Sequence, residues 1–163
     1  MLTLHDELTI RQNLFNAPQR YKVVTVNCVG AMGKGIALEC RERYTQLYHD
    51  YRARCRAGEI VVGELTVYQD ENVILFPTKV HFKDPTQVSY VTPALHRLAE
   101  LAERLEGGIA LPPLGMANGW LKYYQRVEVW KGLQNIIAPL DATVDMYLPT
   151  WLLEEAQQIF SEK

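Results

Sequence analysis

The segment Val23-Val24-Thr25-Val26 is β-branched at every position and runs directly into a stretch with glycines at 30, 33 and 35. Stiff, β-branched side chains favour a buried strand. The glycine-spaced stretch Asn27 to Gly35 reads as a loop. From Ile36 the apolar positions 36, 40, 44, 47, 48, 51 and 55 keep a helical period, which Gly58 closes. Strand, loop, helix is the unit of an α/β fold, and the rest of the chain repeats the alternation. Leu65 to Tyr68 and Val73 to Phe76 read as strands separated by the polar Gln69-Asp70-Glu71-Asn72. Val91, Ala94, Leu95, Leu98, Leu101, Ala102 and Leu105 form the clearest amphipathic helix, ended by Gly107-Gly108. Ile109 to Leu111 is a short strand, a helix follows around Val127, Trp130, Leu133 and Ile137, and Thr143 to Tyr147 is a strand. Thr150 is placed to cap a last helix through Phe160. The pattern predicts one domain over 1–163, an α/β sandwich with a largely parallel central sheet. Ligands of such sheets sit at the carboxyl ends of the strands.

Composition narrows the classes of function. Seventeen Lys plus Arg stand against nineteen Asp plus Glu, a formal charge of −2, which excludes an overall basic coat but not a local basic groove. No apolar run reaches the roughly 18 residues of a membrane helix. His5, Asp6, Glu7 and Arg11 stand where a secretion signal would be apolar. Cys28, Cys40 and Cys55 match neither a zinc spacing nor a disulfide framework. The expectation is a reduced, cytoplasmic setting with no metal and no cofactor. His5, His49 and His96 carry no ligand pattern. Tyr44, Tyr48 and Tyr51, at helical spacing, read as core and rim packing.

Three strand ends hold chemistry-bearing residues. In Asn27 to Gly35, glycines allow close backbone approach, and successive N–H groups with the following helix start make an anion site. Lys34 there is either a phosphate ligand or a solvated lysine. The spacing is neither Gly-x-Gly-x-x-Gly nor a P-loop, which removes dinucleotide oxidoreduction and nucleotide triphosphate hydrolysis. Gly115 to Gly119 is a second glycine loop, able to grip a diphosphate from the other side. In Phe76-Pro77-Thr78-Lys79-Val80-His81-Phe82, a partly buried Lys79 would have a lowered pKa and an available amine. Taken singly, each loop is equally readable as a turn without a ligand.

Together the three segments resemble a macrodomain, the ADP-ribose-binding fold, and more narrowly the branch that holds the DNA ADP-ribosyl glycohydrolase antitoxin DarG and the human terminal ADP-ribose glycohydrolase. The resemblance rests on Val26-Asn27-Cys28-Val29-Gly30-Ala31-Met32-Gly33-Lys34-Gly35-Ile36-Ala37-Leu38, on Phe76 to Phe82, and on Pro112-Pro113-Leu114-Gly115 with Asn118-Gly119. Order and spacing hold from about residue 13 to 150. It implies a three-layer α/β/α fold on a mostly parallel, mixed central sheet, and a cleft for ADP-ribose in which Asn27, near the distal ribose, and Lys79 are the catalytic residues. Gly30, Ala31, Met32, Gly33, Lys34, Gly35 and Ile36 would follow the distal ribose and diphosphate, with Thr78 beside them. Pro113, Leu114, Gly115, Met116, Ala117, Asn118, Gly119 and Trp120 would form the second phosphate loop.

The sequence also departs from that branch. Where the family has an aspartate that accepts from the adenine amino group, counting back from Asn27 gives Asn13, followed by Leu14; an amide oxygen accepts without charge. Ala117 stands where the branch has glycine, Trp120 adds bulk, and Gly119 stands where the human relative carries an aspartate. The leading expectation is an ADP-ribosyl glycohydrolase that frees ADP-ribose from thymidine in single-stranded DNA. Lys79 would act as an attacking amine or as a positive charge on the leaving base. Lys79, His81, Lys83 and Arg97 are candidates for DNA phosphates. The same cleft admits ADP-ribosylated protein carboxylates, ADP-ribose 1″-phosphate, or binding without catalysis. A monomer is expected. Antitoxins of this branch carry a toxin-binding region for which 163 residues leave no room, so the expectation is a stand-alone enzyme or one domain of a longer chain.

Overall fold

The computed structural model describes residues 1–162. Six strands, β1 (Leu2–Asp6), β2 (Tyr21–Asn27), β3 (Thr66–Tyr68), β4 (Val73–Lys79), β5 (Ile109–Leu111) and β6 (Val144–Leu148), form one sheet in the order β1-β6-β5-β2-β4-β3. Every pair is parallel except β3 with β4, so the sheet is mixed and mostly parallel. Five α-helices cover it: α1 (Gly35–Arg43), α2 (Thr45–Arg56), α3 (Val88–Arg104), α4 (Tyr123–Gly132) and α5 (Thr150–Ser161).

Alternate residues of the central strands feed opposite faces, as the two-residue strand period requires. Val23, Ile74 and Phe76 join α3, α4 and α5 in a large core around the fully buried Trp130. Val24, Val26, Val73 and Leu75 join α1 and α2 in a second core with Cys40, Leu47, Tyr48 and Tyr51. This is the expected three-layer sandwich. A small third cluster of Ile10, Leu14, Ala17, Ala110 and Tyr147 lies under two short 3-10 turns, Glu7–Ile10 and Leu14–Asn16.

Four local details differ from the sequence reading. The helix expected from Ile36 onward is two helices, broken at Tyr44 (φ −132°, ψ 77°). The apolar period hides the break because positions on both sides of it, Ala37 and Cys40, then Leu47 and Tyr51, enter the same core. The helix expected to run through Ile137 leaves α-geometry after Gly132 in one π-turn, Leu133–Ile137. Thr150 does not cap α5; its hydroxyl donates to Asp6 at 2.7 Å, and Pro149 holds the cap position. Strand β1 was not legible, because only Leu2 and Leu4 of this edge strand pack on the core while His5 pairs with Asp145 at 2.7 Å. Among the described residues no helix is long and apolar enough to cross a membrane, and no group of three or more His, Cys, Asp or Glu could hold a metal ion.

Candidate functional site

A cleft of about 1240 Å³ runs across the carboxyl ends of β6, β5, β2 and β4. Its first wall is the loop after β2, and Asn27 organises that loop. Asn27 Nδ2 donates to the Ala31 carbonyl at 2.9 Å, while Oδ1 accepts from the Val29 and Ala31 N–H groups at 3.0 and 3.3 Å. The fully buried Tyr51 donates its hydroxyl to Asn27 O at 2.7 Å, with Oδ1 at 3.0 Å from the same hydroxyl. The Asn27 amide therefore serves the loop first. The loop then enters α1 at Gly35 (φ +54°), whose helix start carries no side-chain cap, so its first N–H groups remain open to an anion.

The second wall is the loop after β5. Leu114 (φ +56°), Gly115 (φ +85°) and Trp120 (φ +61°) all take left-handed backbone. Gly119 has no alternative: a Cβ there would lie 2.1 Å from the Gly115 carbonyl oxygen and 2.4 Å from Thr86 Oγ1. Thr86, a residue that sequence reading missed, clasps the loop from outside through its N–H to Gly119 O at 2.8 Å. No local signal marks it, since the contact crosses from the segment before α3.

The third wall is the end of β4. The register of β2 on β4 slips between Val26 and Asn27, so Asn27 stands opposite Lys79 rather than Thr78. Such irregularities re-aim side chains at a sheet end. Lys79 Nζ lies 3.8 Å from the Trp120 ring centroid and donates to Phe82 O at 3.4 Å. None of the ion pairs among the described residues includes it. Burial, and next the charge of Lys34, hold its amine below the usual lysine value, opposed by Asp84.

At the opposite end, Asn13 caps the second 3-10 turn. Its Oδ1 already accepts from Phe15 N–H at 3.0 Å, and its Nδ2 faces Glu39 Oε1 at 3.3 Å. Asn13 thus lines the cleft with its amide already engaged by the turn and by Glu39. The carboxylates lining this end are Glu7 and Glu39, neither of which sequence reading identified.

Of the expected residues, Asn13, Leu14, Asn27, Ala31, Gly33, Lys34, Gly35, Ile36, Thr78, Lys79, Lys83, Pro113, Leu114, Gly115, Ala117, Asn118, Gly119 and Trp120 line the cleft. Four do not. Gly30 packs on Arg52 of α2, Met32 is buried in the second core, and Met116 is buried in the first. Their loops turn at these points, and the two methionines anchor them. His81 lies outside, its ring tilted 31° against Phe82 with centroids 4.4 Å apart, and accepts from Lys83 N–H. Arg97 sits on α3 in pairs with Glu64 and Glu100 and is not available to the cleft. Besides Glu7, Glu39 and Phe82, the unforeseen lining includes Ile10, Tyr147, Pro149 and Trp151. The last three follow from β6 ending beside the cleft.

No family model matches the chain. Over 118 residues it is 36% identical to the DNA ADP-ribosyl glycohydrolase of Mycobacterium tuberculosis (strain ATCC 25618 / H37Rv), taking in 68% of this chain and 34% of that protein. Over 132 residues it is 38% identical to the DNA ADP-ribosyl glycohydrolase of Thermus aquaticus, taking in 73% of this chain and 36% of that protein. The chain thus spans about a third of the length of these curated relatives. The solved macrodomain of Thermus aquaticus DarG superposes with a TM-score of 0.75 at 33% identity, covering 91% of this chain and 97% of that one. The macrodomain of Mycobacterium tuberculosis DarG gives a TM-score of 0.75 at 32% identity, covering 92% and 99%. Thermosipho africanus DarTG, solved in complex with ADP-ribose, gives a TM-score of 0.73 at 25% identity, covering 85% and 40%. A mixed sheet whose strand ends open between two glycine loops, with this degree of likeness, defines a macrodomain. The chain belongs to the macrodomain family and, within it, to the branch of the DarG-like ADP-ribosyl glycohydrolases.

Proposed function

We propose that this chain hydrolyses the bond between the distal ribose of ADP-ribose and a nucleobase in DNA, with thymidine as the base and Lys79 as the reacting group. The observation that carries the reading is Lys79, a lysine in no ion pair among the described residues, standing opposite Asn27 between the two glycine loops. The relatives' activity as DNA ADP-ribosyl glycohydrolases supports the reaction type and the substrate.

The diphosphate lies between the first turn of α1 and the Gly115 to Gly119 loop, where backbone N–H groups and Lys34 offset its charge. Held there, the ribose is fixed against Lys79, and fixing reactants in place supplies much of the rate. Burial and Lys34 lower the pKa of the Lys79 amine, and attack of that amine at the anomeric carbon is the step we propose. In that step the carbon–nitrogen bond to the base breaks, the base takes a proton, and water later frees the sugar from the lysine.

The test is product analysis on single-stranded DNA carrying ADP-ribose on thymidine. Free ADP-ribose and unmodified DNA are expected. If ADP-ribose binds but no product forms on DNA, while protein-linked ADP-ribose is released, the substrate assignment fails.

A further inference from the structure

The exposed aromatic side chains are not scattered. Among the described residues they are Phe82, Trp120, Tyr123, Tyr124 and Trp151, each between 48% and 63% exposed. All five follow the carboxyl ends of β4, β5 or β6, and Phe82, Trp120 and Trp151 line the cleft. The lysines are skewed the same way. Four of the seven in the chain, Lys34, Lys79, Lys83 and Lys122, lie at or after the ends of β2, β4 and β5, and among the described residues none is in an ion pair. The segments 27–38 and 112–127 contain no acidic residue, and Asp84 is the one carboxylate in 79–84. A chain of net charge −2 has therefore gathered unpaired lysines and solvent-facing rings around one opening.

Exposed rings interleaved with lysines are the means by which proteins hold single strands: bases stack on the rings and phosphates meet the cations. The surface is also firm. Arg126 lies 5.7 Å from the Tyr123 ring centroid and is locked by Glu155 at 2.8 Å and by the Leu121 carbonyl at 2.9 Å. Phe82 and Trp120 stand at Lys79, while Tyr123 and Tyr124 open α4, and Tyr123 shares Arg126 with the cleft-lining Trp151, whose ring centroid lies 5.4 Å from it.

We propose that the first turn of α4, with Tyr123, Tyr124 and Lys122, continues the Phe82–Trp120 opening as a track for the single-stranded DNA nucleotides flanking the modified one. This deepens the proposed function and rests on it for the modified base, but its binding component can be measured apart. The probe is an unmodified, fluorescently labelled single strand of about 12 nucleotides, titrated against the full chain at several salt concentrations.

In Y123S/Y124S the strand affinity is expected to fall on the order of tenfold, with ADP-ribose affinity and turnover of an ADP-ribosylated thymidine mononucleotide unchanged. Y123F/Y124F, which keeps the rings, restores binding. K122S lowers the slope of log affinity against log salt by about 0.7. For the modified strand, KM rises in the serine double variant while kcat holds. Unchanged strand affinity in a serine variant that still binds ADP-ribose overturns the track. So does turnover on DNA with no gain in KM from mononucleotide to strand, although the proposed reaction then stands. Tyrosine-dependent strand binding without release of ADP-ribose from DNA keeps the track and removes the reaction. Equal dependence on Tyr123 and Tyr124 for an ADP-ribosylated peptide overturns the assignment to nucleic acid.

Discussion

Lys79 combines two opposed influences. Burial and the neighbouring Lys34 favour its neutral amine, whereas the Trp120 face and Asp84 favour the ammonium. If the amine attacks, kcat rises with pH through one ionisation that lies below the usual lysine value of about 10.4. If the ammonium only stabilises the leaving base, kcat falls through that same ionisation. A rising profile is expected, and Lys34→Ser should move its inflection upward, because the repulsion that depresses Lys79 is gone; a pH–rate series on both proteins reads this directly. Asn27 makes its amide hydrogen bonds within its own loop. Tyr51→Phe deletes the hydroxyl that donates to it and should cost about 1 kcal/mol in denaturant unfolding. ADP-ribose should then bind more weakly because the first loop loosens. The residues that act here were legible where the chain itself brings them to a strand end, as with Asn27 and Lys79. The 3.8 Å stack of Lys79 on Trp120 was not, because it joins segments 41 positions apart. Glu39 was not legible either, since on the page it is one more charged position of a surface helix.

At the scale of the elements, the two glycine loops carry the design. Both were visible as glycines following short apolar strands. What was hidden is which glycine is indispensable. Gly33 has open space around its Cβ position, whereas Gly119 meets the Gly115 carbonyl and Thr86. Gly119→Ala should therefore reduce ADP-ribose affinity at least tenfold by calorimetry while the protein stays folded, and Gly33→Ala should do much less. Equal effects would mean that the second loop is not held by that contact. The break at Tyr44 escaped notice for a related reason: periodicity reports which face is buried and not whether the axis is continuous. The edge strand β1 escaped because an edge needs few apolar residues, and its last two, His5 and Asp6, are tied by side-chain partners rather than by the core.

Across the whole molecule, the sheet keeps the cleft in shape by being packed on both faces, and the helices on one face are joined by a half-buried ion pair. Burial alone would raise the Glu155 carboxyl, but hydrogen bonds from Arg126 and from the Trp130 indole bring it below the usual glutamate value. A carboxylate lowered in the folded state adds stability that is complete above the unfolded value, about 4.3, and is lost as pH falls through the folded one. Glu155→Gln should therefore lower Tm at neutral pH by about 4–8 °C, for a loss of about 2 kcal/mol, and flatten the acid limb of a Tm-against-pH series. An acid limb unchanged in the variant would place the pH dependence elsewhere. The proposal that this macrodomain frees ADP-ribose from DNA through Lys79 is tested by one comparison. Wild type and Lys79→Ala are assayed for release of ADP-ribose from single-stranded DNA modified on thymidine, with ADP-ribose binding measured on both. Release by the wild type alone, with both proteins still binding ADP-ribose, is the expected result; release by a Lys79→Ala variant at the wild-type rate would contradict it.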